Sequence, residues 1–496
     1  MAEATLLWLD NLVSVVFTKE FILAVAVAWM VGGVLYHEYL SPLAKIPGPR
    51  PVVLSEYILL STVYRQHFDE YIRSMHAKYG PVVRLAPKLV SIADPDAMST
   101  FYNTPRFPKS ALYAAFHNPT ENIFSTQNIE LHKKLRRLIA PSFSMSAVLA
   151  IEPLIVDAGT DKLSKRIAMH AERGDTFDLM AFLHHMTFDV IGAVSFGQSF
   201  GLQTGGDRAI INWIEDLLAM GILKLGLRRL FHPRFFPQLT GSTEKLVNFT
   251  RKVIYARRIS GAKHNDILQR FIEAVDEETG DGLSEDQLIA ESIIQLIAGT
   301  DTTAVTLTWT MHLLLENPNC MQRLYEELKD AIPDPDTEIH YADVKSLPYL
   351  DGVLHESLRM RPVSAAGSGR TVPEGGAYIA GHFIPEGTEI STSIITIHGL
   401  ESIFPNADLF KPERWLGANE QVSEMKRSLL TFAMGPRGCV GRNLAWFELR
   451  LTLATLVRQF AFDVPSGMKV DMTPAQRFIS KPKDGKLLVR AAKRAV

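Results

Sequence analysis

Cysteine is almost missing from this chain: two thiols, Cys320 and Cys439, stand among 496 residues. So few and so far apart, they describe neither a disulfide framework nor a four-thiolate zinc centre, and a reducing compartment fits them best. An excess of one charge is missing too. Lys and Arg number 52 against 54 Asp and Glu, a formal net charge of −2, which argues against a nucleic-acid partner. No glycine-rich nucleotide-binding motif occurs. Past residue 51 there is no repeat, no low-complexity tract and no linker, so the roughly three domains that length alone would suggest collapse to one body. What is present is an ordinary globular balance, 47% hydrophobic and 21% charged, with ample material for a core.

The N-terminus departs from that balance. Residues 21–36 carry no charge and would span about 24 Å as a helix, slightly short of an endoplasmic reticulum bilayer of about 27 Å. One further turn beyond Tyr36, or local thinning, closes the gap. Lys45 and Arg50 follow the run, whereas Lys19 before it is offset by Glu3, Asp10 and Glu20, a bias that favours a cytosolic body. Ile46-Pro47-Gly48-Pro49-Arg50-Pro51 reads as a stiff extended connector. The competing readings are a buried core helix or a cleaved signal peptide, and the latter would deliver unpaired thiols to an oxidising space. The expected division is therefore a membrane anchor over 1–40, a Pro-rich connector over 41–51 and one catalytic body over 52–496.

Near the other end, Phe432-Ala433-Met434-Gly435-Pro436-Arg437-Gly438-Cys439-Val440-Gly441 places a thiol in a glycine-punctuated loop. The next segment, 443–451, is apolar at helical spacing, so the thiol falls close to a helix N-terminus. Helix dipole, aimed backbone N–H groups and Arg437 all favour thiolate over thiol. The glycines let the backbone approach something large and flat. A lone thiolate cannot build a four-ligand zinc site but can serve as the single axial ligand of a haem iron; the alternative is a buried structural cysteine. Cys320 has no chemical company and reads as structural.

Ser284 and Gln287 form a capping box that opens a helix reaching Glu316, about 48 Å long. Its flanks, 288–296 and 306–315, are largely apolar and predict burial. Between them stands Ala298-Gly299-Thr300-Asp301-Thr302-Thr303, where Gly299 costs about 1 kcal/mol against Ala. Hydroxyls bonding back to carbonyls four residues earlier are one explanation for this cluster. Further helices are expected over 131–139, 187–193, 322–331 and 349–360. Strands are expected at 79–85 and 89–92 and in a second group over 376–397, broken at Ala380-Gly381 and Pro385-Glu386-Gly387. The fold class is mainly α with a small β component.

Together these motifs resemble the cytochrome P450 family. The loop matches its haem-binding signature at Phe432, Gly435, Arg437, Cys439, Gly441 and Ala445. The resemblance runs from about residue 46 to the end and is only positional between about 200 and 260. It implies haem b sandwiched between the long helix and the cysteine loop, with Cys439 as axial thiolate. Asp301 and Thr302 fall on the proton-relay acid and alcohol beside a widened groove for O2. Glu356, Arg359 and Arg414 fall on a buried structural triad. His132 (where the family often has Trp), Arg136, Arg370 and Arg437 fall on positions that pair with the haem propionates. Lys133, Lys134 and Arg137 read as a solvated face. One departure is Ile397-His398-Gly399-Leu400, a strand end where the family usually has His-Arg-Asp.

The implied activity is that of a haem monooxygenase. It inserts one oxygen atom of O2 into a hydrophobic small molecule. Electrons come from NADPH through NADPH–cytochrome P450 reductase, steered by a basic face. The implied location is the endoplasmic reticulum membrane, single-pass, with the catalytic body in the cytosol. Rival readings are a member of the same fold that rearranges or dehydrates without O2, against which the intact Asp301-Thr302 weighs, and a non-catalytic haem-binding membrane protein. Pocket walls are expected from 102–126, 201–240, 296–303, 363–369 and 473–480. Phe101, Phe107, Tyr113, Phe116 and Phe124 would offer an apolar lining. The small residues at 363–367 leave room for a bulky guest, and the phrasing of the C-terminal third points to fungal secondary metabolism: a terpenoid, polyketide or alkaloid skeleton.

Overall fold

A computed structural model describes residues 18–227, 232–261, 263–476 and 478–494. Glu3, Asp10 and the rest of 1–17 in the expected anchor lie outside the described residues, as do 228–231 and 477 of the expected pocket walls.

Thr18 caps the first helix, its hydroxyl accepting the Phe21 N–H at 3.2 Å. Helix α1 (Lys19–Leu35) continues through a single π turn, Tyr36–Leu40, so the apolar helix totals 22 residues with none of its window buried. At 1.5 Å per residue that is about 33 Å, enough to cross a bilayer core. Leu179–Phe196 is also long and apolar, but 89% of its window is buried, as befits a core helix.

The connector is packed, not free. Leu43 and Ile46 are buried, and a Cβ on Gly48 would lie 2.1 Å from the Arg84 carbonyl oxygen, so only glycine fits there. Buried Glu38 in the π turn accepts the Val52 N–H, and Arg84 donates to the His37 carbonyl at 2.7 Å. These bonds tie the end of the N-terminal apolar helix to helix α2 (Val52–Tyr64) and to the first sheet.

That sheet has the order β1 (Val82–Ala86), β2 (Leu89–Ile92), β7 (Glu389–Thr392), β4 (Arg370–Thr371), with β2 and β7 parallel and the other pairs antiparallel. Strands β5 (Ala377–Ile379) and β6 (His382–Ile384) make a separate hairpin, as do β9 (Pro474–Gln476) and β10 (Ser480–Pro482). Strands β3 (Phe177–Asp178), β11 (Leu488–Lys493) and β8 (Phe460–Asp463) form the last sheet. The second expected strand group stops at Thr392. Ile394–Ile397 is a helical turn with His398 as its C-cap, because Ser393 and Ile394 carbonyls take up the Ile397 and His398 N–H groups.

Five helices position the site: α3 (Ile129–Ile139), α4 (Leu179–Phe196), α5 (Glu285–Glu316), α6 (Pro348–Met360) and α7 (Arg442–Gln459). The capping box at Ser284 and Gln287 is formed, and α5 is continuous through the polar hexapeptide. Gly299 meets α4: a Cβ there would lie 2.7 Å from Ile191 Cδ1, so the glycine serves close helix packing.

Candidate active site

Loop 432–441 is built to hold one thiol still. The Cys439 N–H donates to the Phe432 carbonyl at 2.9 Å, and Gly438 N–H to Gly435 at 3.0 Å. Gly435 adopts φ 71°, and a Cβ there would lie 1.9 Å from the Tyr102 carbonyl oxygen, so no other residue fits. Gly441 caps α7, two residues beyond the thiol. Cys439 is exposed, yet its surroundings are protein-rich enough for burial to dominate its titration; the side chain borders an internal space. Ala298, in the middle of a largely buried helix, is exposed as well. A cavity of about 510 Å³ lies elsewhere, lined by Thr100, Arg106, Phe107, Gly376, Tyr378 and Phe383, none of them in the cysteine loop or α5.

Burial pushes the Cys439 thiol up, against the opposing pull of the Gly441 N–H, Arg136, Arg442 and Lys109. Without a bound metal the expected pull towards thiolate is outweighed by desolvation, and the leading cations acting on the thiol are Arg136, Arg442 and Lys109. Arg437 instead donates to the Thr126 carbonyl at 2.7 Å, and Arg136 to the Gly438 carbonyl at 2.6 Å. Phe432 packs against Trp446, ring centroids 6.0 Å apart.

The structure brings the expected cations together. Burial, then Arg437, Lys109, Arg136 and Arg370, hold the His132 imidazole down to about 3. Burial and Arg370 hold Arg437 at about 10. Arg370 is 1% exposed and its Nη2 is buried without a hydrogen-bond partner. Sequence reasoning missed Lys109. Its Nζ bonds the Phe124 carbonyl and lies 4.6 Å from the centroids of both Tyr113 and Phe124, and burial with Arg370 and Arg437 lowers it far below an ordinary lysine. Only an isolated bridge to Arg370 places it here, a long-range pairing that no local pattern announces. A buried group of cations with an orphaned guanidinium nitrogen, beside a lone thiol open to an internal space, fits a haem with its two propionates.

On α5, Thr302 Oγ1 donates to the Ala298 carbonyl at 2.7 Å, and Thr300 and Thr306 bond back in the same way. Asp301 points elsewhere, with its Oδ1 3.4 Å from His184 Nε2. The acid and the alcohol are adjacent in sequence but face different neighbours.

Glu356 is fully buried and accepts five donors: Arg359 Nε and Nη2 at 2.9 and 2.8 Å, Arg414 Nε at 2.9 Å, the Lys411 N–H at 3.0 Å and Trp415 Nε1 at 2.8 Å. Trp415 and His398 were not anticipated as partners. His398 Nδ1 donates to the Arg359 carbonyl at 3.0 Å, and its Nε2 accepts the Leu430 N–H at 3.0 Å. The departure at 397–400 therefore carries a contact that ties the Glu356 network to the cysteine loop.

Other expectations shift. Lys134 pairs with Asp281 at 3.0 Å, and Arg137 pairs with Asp276 and Glu278 at 2.8 and 3.1 Å, so two of the three solvated cations are neutralised. Phe101 and Phe107 pack into the core behind the first sheet, and Phe107 borders the cavity away from the cysteine loop. Tyr113, Phe116, Phe124 and Phe478 form one aromatic cluster, with centroid separations of 5.0 to 6.2 Å.

The sequence model described as "Cytochrome P450" matches residues 46–489. Averantin hydroxylase of Aspergillus parasiticus is 32% identical over 443 residues, covering 86% of this chain and 87% of that protein. Averantin hydroxylase of Dothistroma septosporum is 30% identical over 447 residues, 88% of this chain and 83% of that protein. Cytochrome P450 monooxygenase efuB of Hormonema carpetanum is 31% identical over 448 residues, 86% and 87% of the two chains.

Proposed function

The chain belongs to the cytochrome P450 family, and from that premise we propose how its own residues carry the reaction. It is a haem-dependent monooxygenase that uses O2 and a small-molecule substrate, with the haem held by a cysteine thiolate and electrons derived from NADPH. Cys439 is that cysteine. The observation that carries this reading is the single thiol open to an internal space beside a buried cation group that lacks its anions.

When bound, haem with a thiolate ligand supplies dioxygen activation and the oxidising power for a C–H bond. The chain supplies the rest. Cys439 binds as thiolate, its charge supported by the Gly441 N–H, Arg136, Arg442 and Lys109. Arg370, Arg437 and Lys109, with His132 at their side, hold the anionic edge. Phe432 packs beside the thiol loop. Glu356, Arg359 and Arg414 fix the backbone on the thiolate side. Thr302 holds a hydroxyl proton on the α5 face shared with exposed Ala298, and Asp301 holds a carboxylate one residue away. The aromatic cluster around Phe116 excludes water from the substrate space.

The substrate is a hydrophobic secondary-metabolite intermediate, a terpenoid, polyketide or alkaloid; the relatives named as averantin hydroxylases support that class. The chain divides into an anchor over 1–40, a connector over 41–51 and a single catalytic domain over 52–496. It sits single-pass in the endoplasmic reticulum membrane, catalytic domain in the cytosol, and takes electrons from NADPH–cytochrome P450 reductase.

The test is the carbon monoxide difference spectrum of the reduced protein beside Cys439→Ser. A strongly red-shifted Soret band that the variant lacks is the expected result. A histidine-type band, or no haem in well-folded protein, would overturn the reading.

A further inference from the structure

Asp301 has a partner that the proton-relay reading does not use. His184, on α4, presents Nε2 to Asp301 Oδ1 at 3.4 Å. The other ring nitrogen, Nδ1, lies 3.0 Å from the Met180 carbonyl one turn earlier. A carbonyl oxygen can only accept, so Nδ1 carries a proton. In a neutral ring Nε2 would then turn a lone pair towards a carboxylate oxygen. Two lone pairs facing each other repel. The contact becomes attractive only with one more proton between the atoms, as imidazolium with carboxylate or imidazole with carboxylic acid. That proton belongs to the pair.

Among the described residues, the charged groups facing Asp301 are His184 on α4 and Lys481 on β10. Burial raises the Asp301 carboxyl, but the hydrogen bond and charge of His184, with Lys481, outweigh it and leave the acid below its usual range. Asp301 is therefore the member of the pair that rests ionised. The adjacent His185 is differently employed, flanked by Arg166 and Arg208 at 2.9 and 2.8 Å. Neither member of the pair is sealed from water: 20% of the His184 side chain and 31% of the Asp301 side chain are accessible.

Resting on the role given above to Asp301, we propose that His184 is its positioning and proton-holding partner, supplying the proton that Asp301 passes on. The Nε2–H bond breaks and an Oδ1–H bond forms. The ring keeps its Nδ1 proton and becomes neutral, and the carboxylate becomes a carboxylic acid. Asp301 then turns from His184 towards Thr302 and gives the proton up through its hydroxyl, itself released from the Ala298 carbonyl, to the oxygen being reduced to water; a hydronium ion from solvent restores the proton at Nε2. No electron moves in these steps.

The test uses the full-length holoenzyme with reductase and His184→Gln. NADPH-driven O2 consumption is measured across pH in water and in D2O, with the carbon monoxide spectrum as control. Wild type is expected to lose rate as pH rises through the titration of the pair. His184→Gln is expected to keep the red-shifted band, run about a hundredfold slower and lose that pH dependence, at the low end of what a positioned proton donor supplies. Independently of turnover, the His184 ring signal in histidine-labelled protein, assigned by its loss in His184→Gln, should titrate about one pH unit lower in Asp301→Asn. An unchanged rate profile with an intact band, or an unmoved ring titration, overturns the role of His184 and leaves the monooxygenase reading standing. Absence of the band from wild type defeats that reading itself. If His184→Gln does not fold, His184→Asn supplies the assignment, and the wild-type and Asp301→Asn titrations decide alone.

Discussion

Replacing Glu356 by Gln keeps the side-chain volume, so no cavity term enters and the change reads electrostatics alone. The carboxylate takes Arg359 Nη2, Arg414 Nε and the Lys411 N–H on Oε1, and Arg359 Nε and Trp415 Nε1 on Oε2. An amide retains one acceptor oxygen, so at least the two donors on Oε2 would face an NH2 group. Both guanidiniums also lose their countercharge while 2% and 5% exposed. Breaking a buried pair costs about 3–5 kcal/mol, and each orphaned donor about 1–3 kcal/mol, partly the same energy counted again. A net loss of about 5 kcal/mol is expected, a large part of a domain stability of about 5–15 kcal/mol. Trp415→Phe removes one donor and leaves the carboxylate four, so it should cost about 1.5–3 kcal/mol. Urea unfolding followed by far-ultraviolet circular dichroism gives both values, and haem content on purification gives the consequence for loading. If Glu356→Gln unfolds within about 1 kcal/mol of wild type, or if Trp415→Phe is equally damaging, the account of the network as one shared carboxylate is wrong.

His398 makes a second test. Burial holds its imidazole down to about 3, and its Nε2 is committed as an acceptor from Leu430, so the folded ring stays neutral where an unfolded one titrates near 6.5. The sign is fixed: as pH falls below about 6.5 the unfolded chain takes up a proton the folded one refuses, and stability drops by about 1.4 kcal/mol per unit, about 2 kcal/mol by pH 5. His398→Asn keeps an acceptor for the Leu430 N–H, so the unfolding midpoint should depend less on pH between 6.5 and 5 by one proton's worth. Arg370→Met, which keeps the stem and removes the cation with the orphaned Nη2, should lower haem content. The haem-free protein should unfold at the same urea concentration as wild type or a higher one, checked by Soret absorbance against protein and by urea titration.

What the sequence made legible were features governed by neighbours a turn or two away. The capping box at Ser284, the β1–β2 hairpin and the Glu356–Arg359 pair all follow from spacing, and all are formed. Gly299 was legible as a cost but not as a cause, because Ile191, the atom group that requires it, is on another helix. Lys109, His184, Trp415 and His398 were missed for a common reason. Each meets its partner across a long stretch of chain, and none carries periodicity, capping chemistry or an unusual neighbour that would mark it. His398 shows the limit most plainly: read as a local departure at a strand end, it is a bridge from Arg359 to the Leu430 N–H beside the cysteine loop. The charges of α3 failed in the opposite way. Lys134 and Arg137 looked free because Asp276, Glu278 and Asp281, which neutralise them, lie in the loop before α5.

The thiol itself carries the broadest lesson. Helix dipole and nearby cations predict a depressed cysteine, and each favourable influence is present: the Gly441 N–H, Arg136, Arg442 and Lys109 all pull the thiol down. Desolvation is larger, and the thiol ends above its ordinary value. The same desolvation depresses His132, Lys109, Arg136 and Arg437. Thiol and cations are therefore disfavoured in their charged forms by one cause, the removal of water from around them. A metal ion deprotonates a coordinating thiol outright, and a dianion supplies the cations with partners, so a single ligand carrying both relieves both costs at once. Neither the cysteine nor the cations would justify their burial separately. Their juxtaposition across residues 109, 132, 136, 370, 437 and 439 is what supports the proposed haem site.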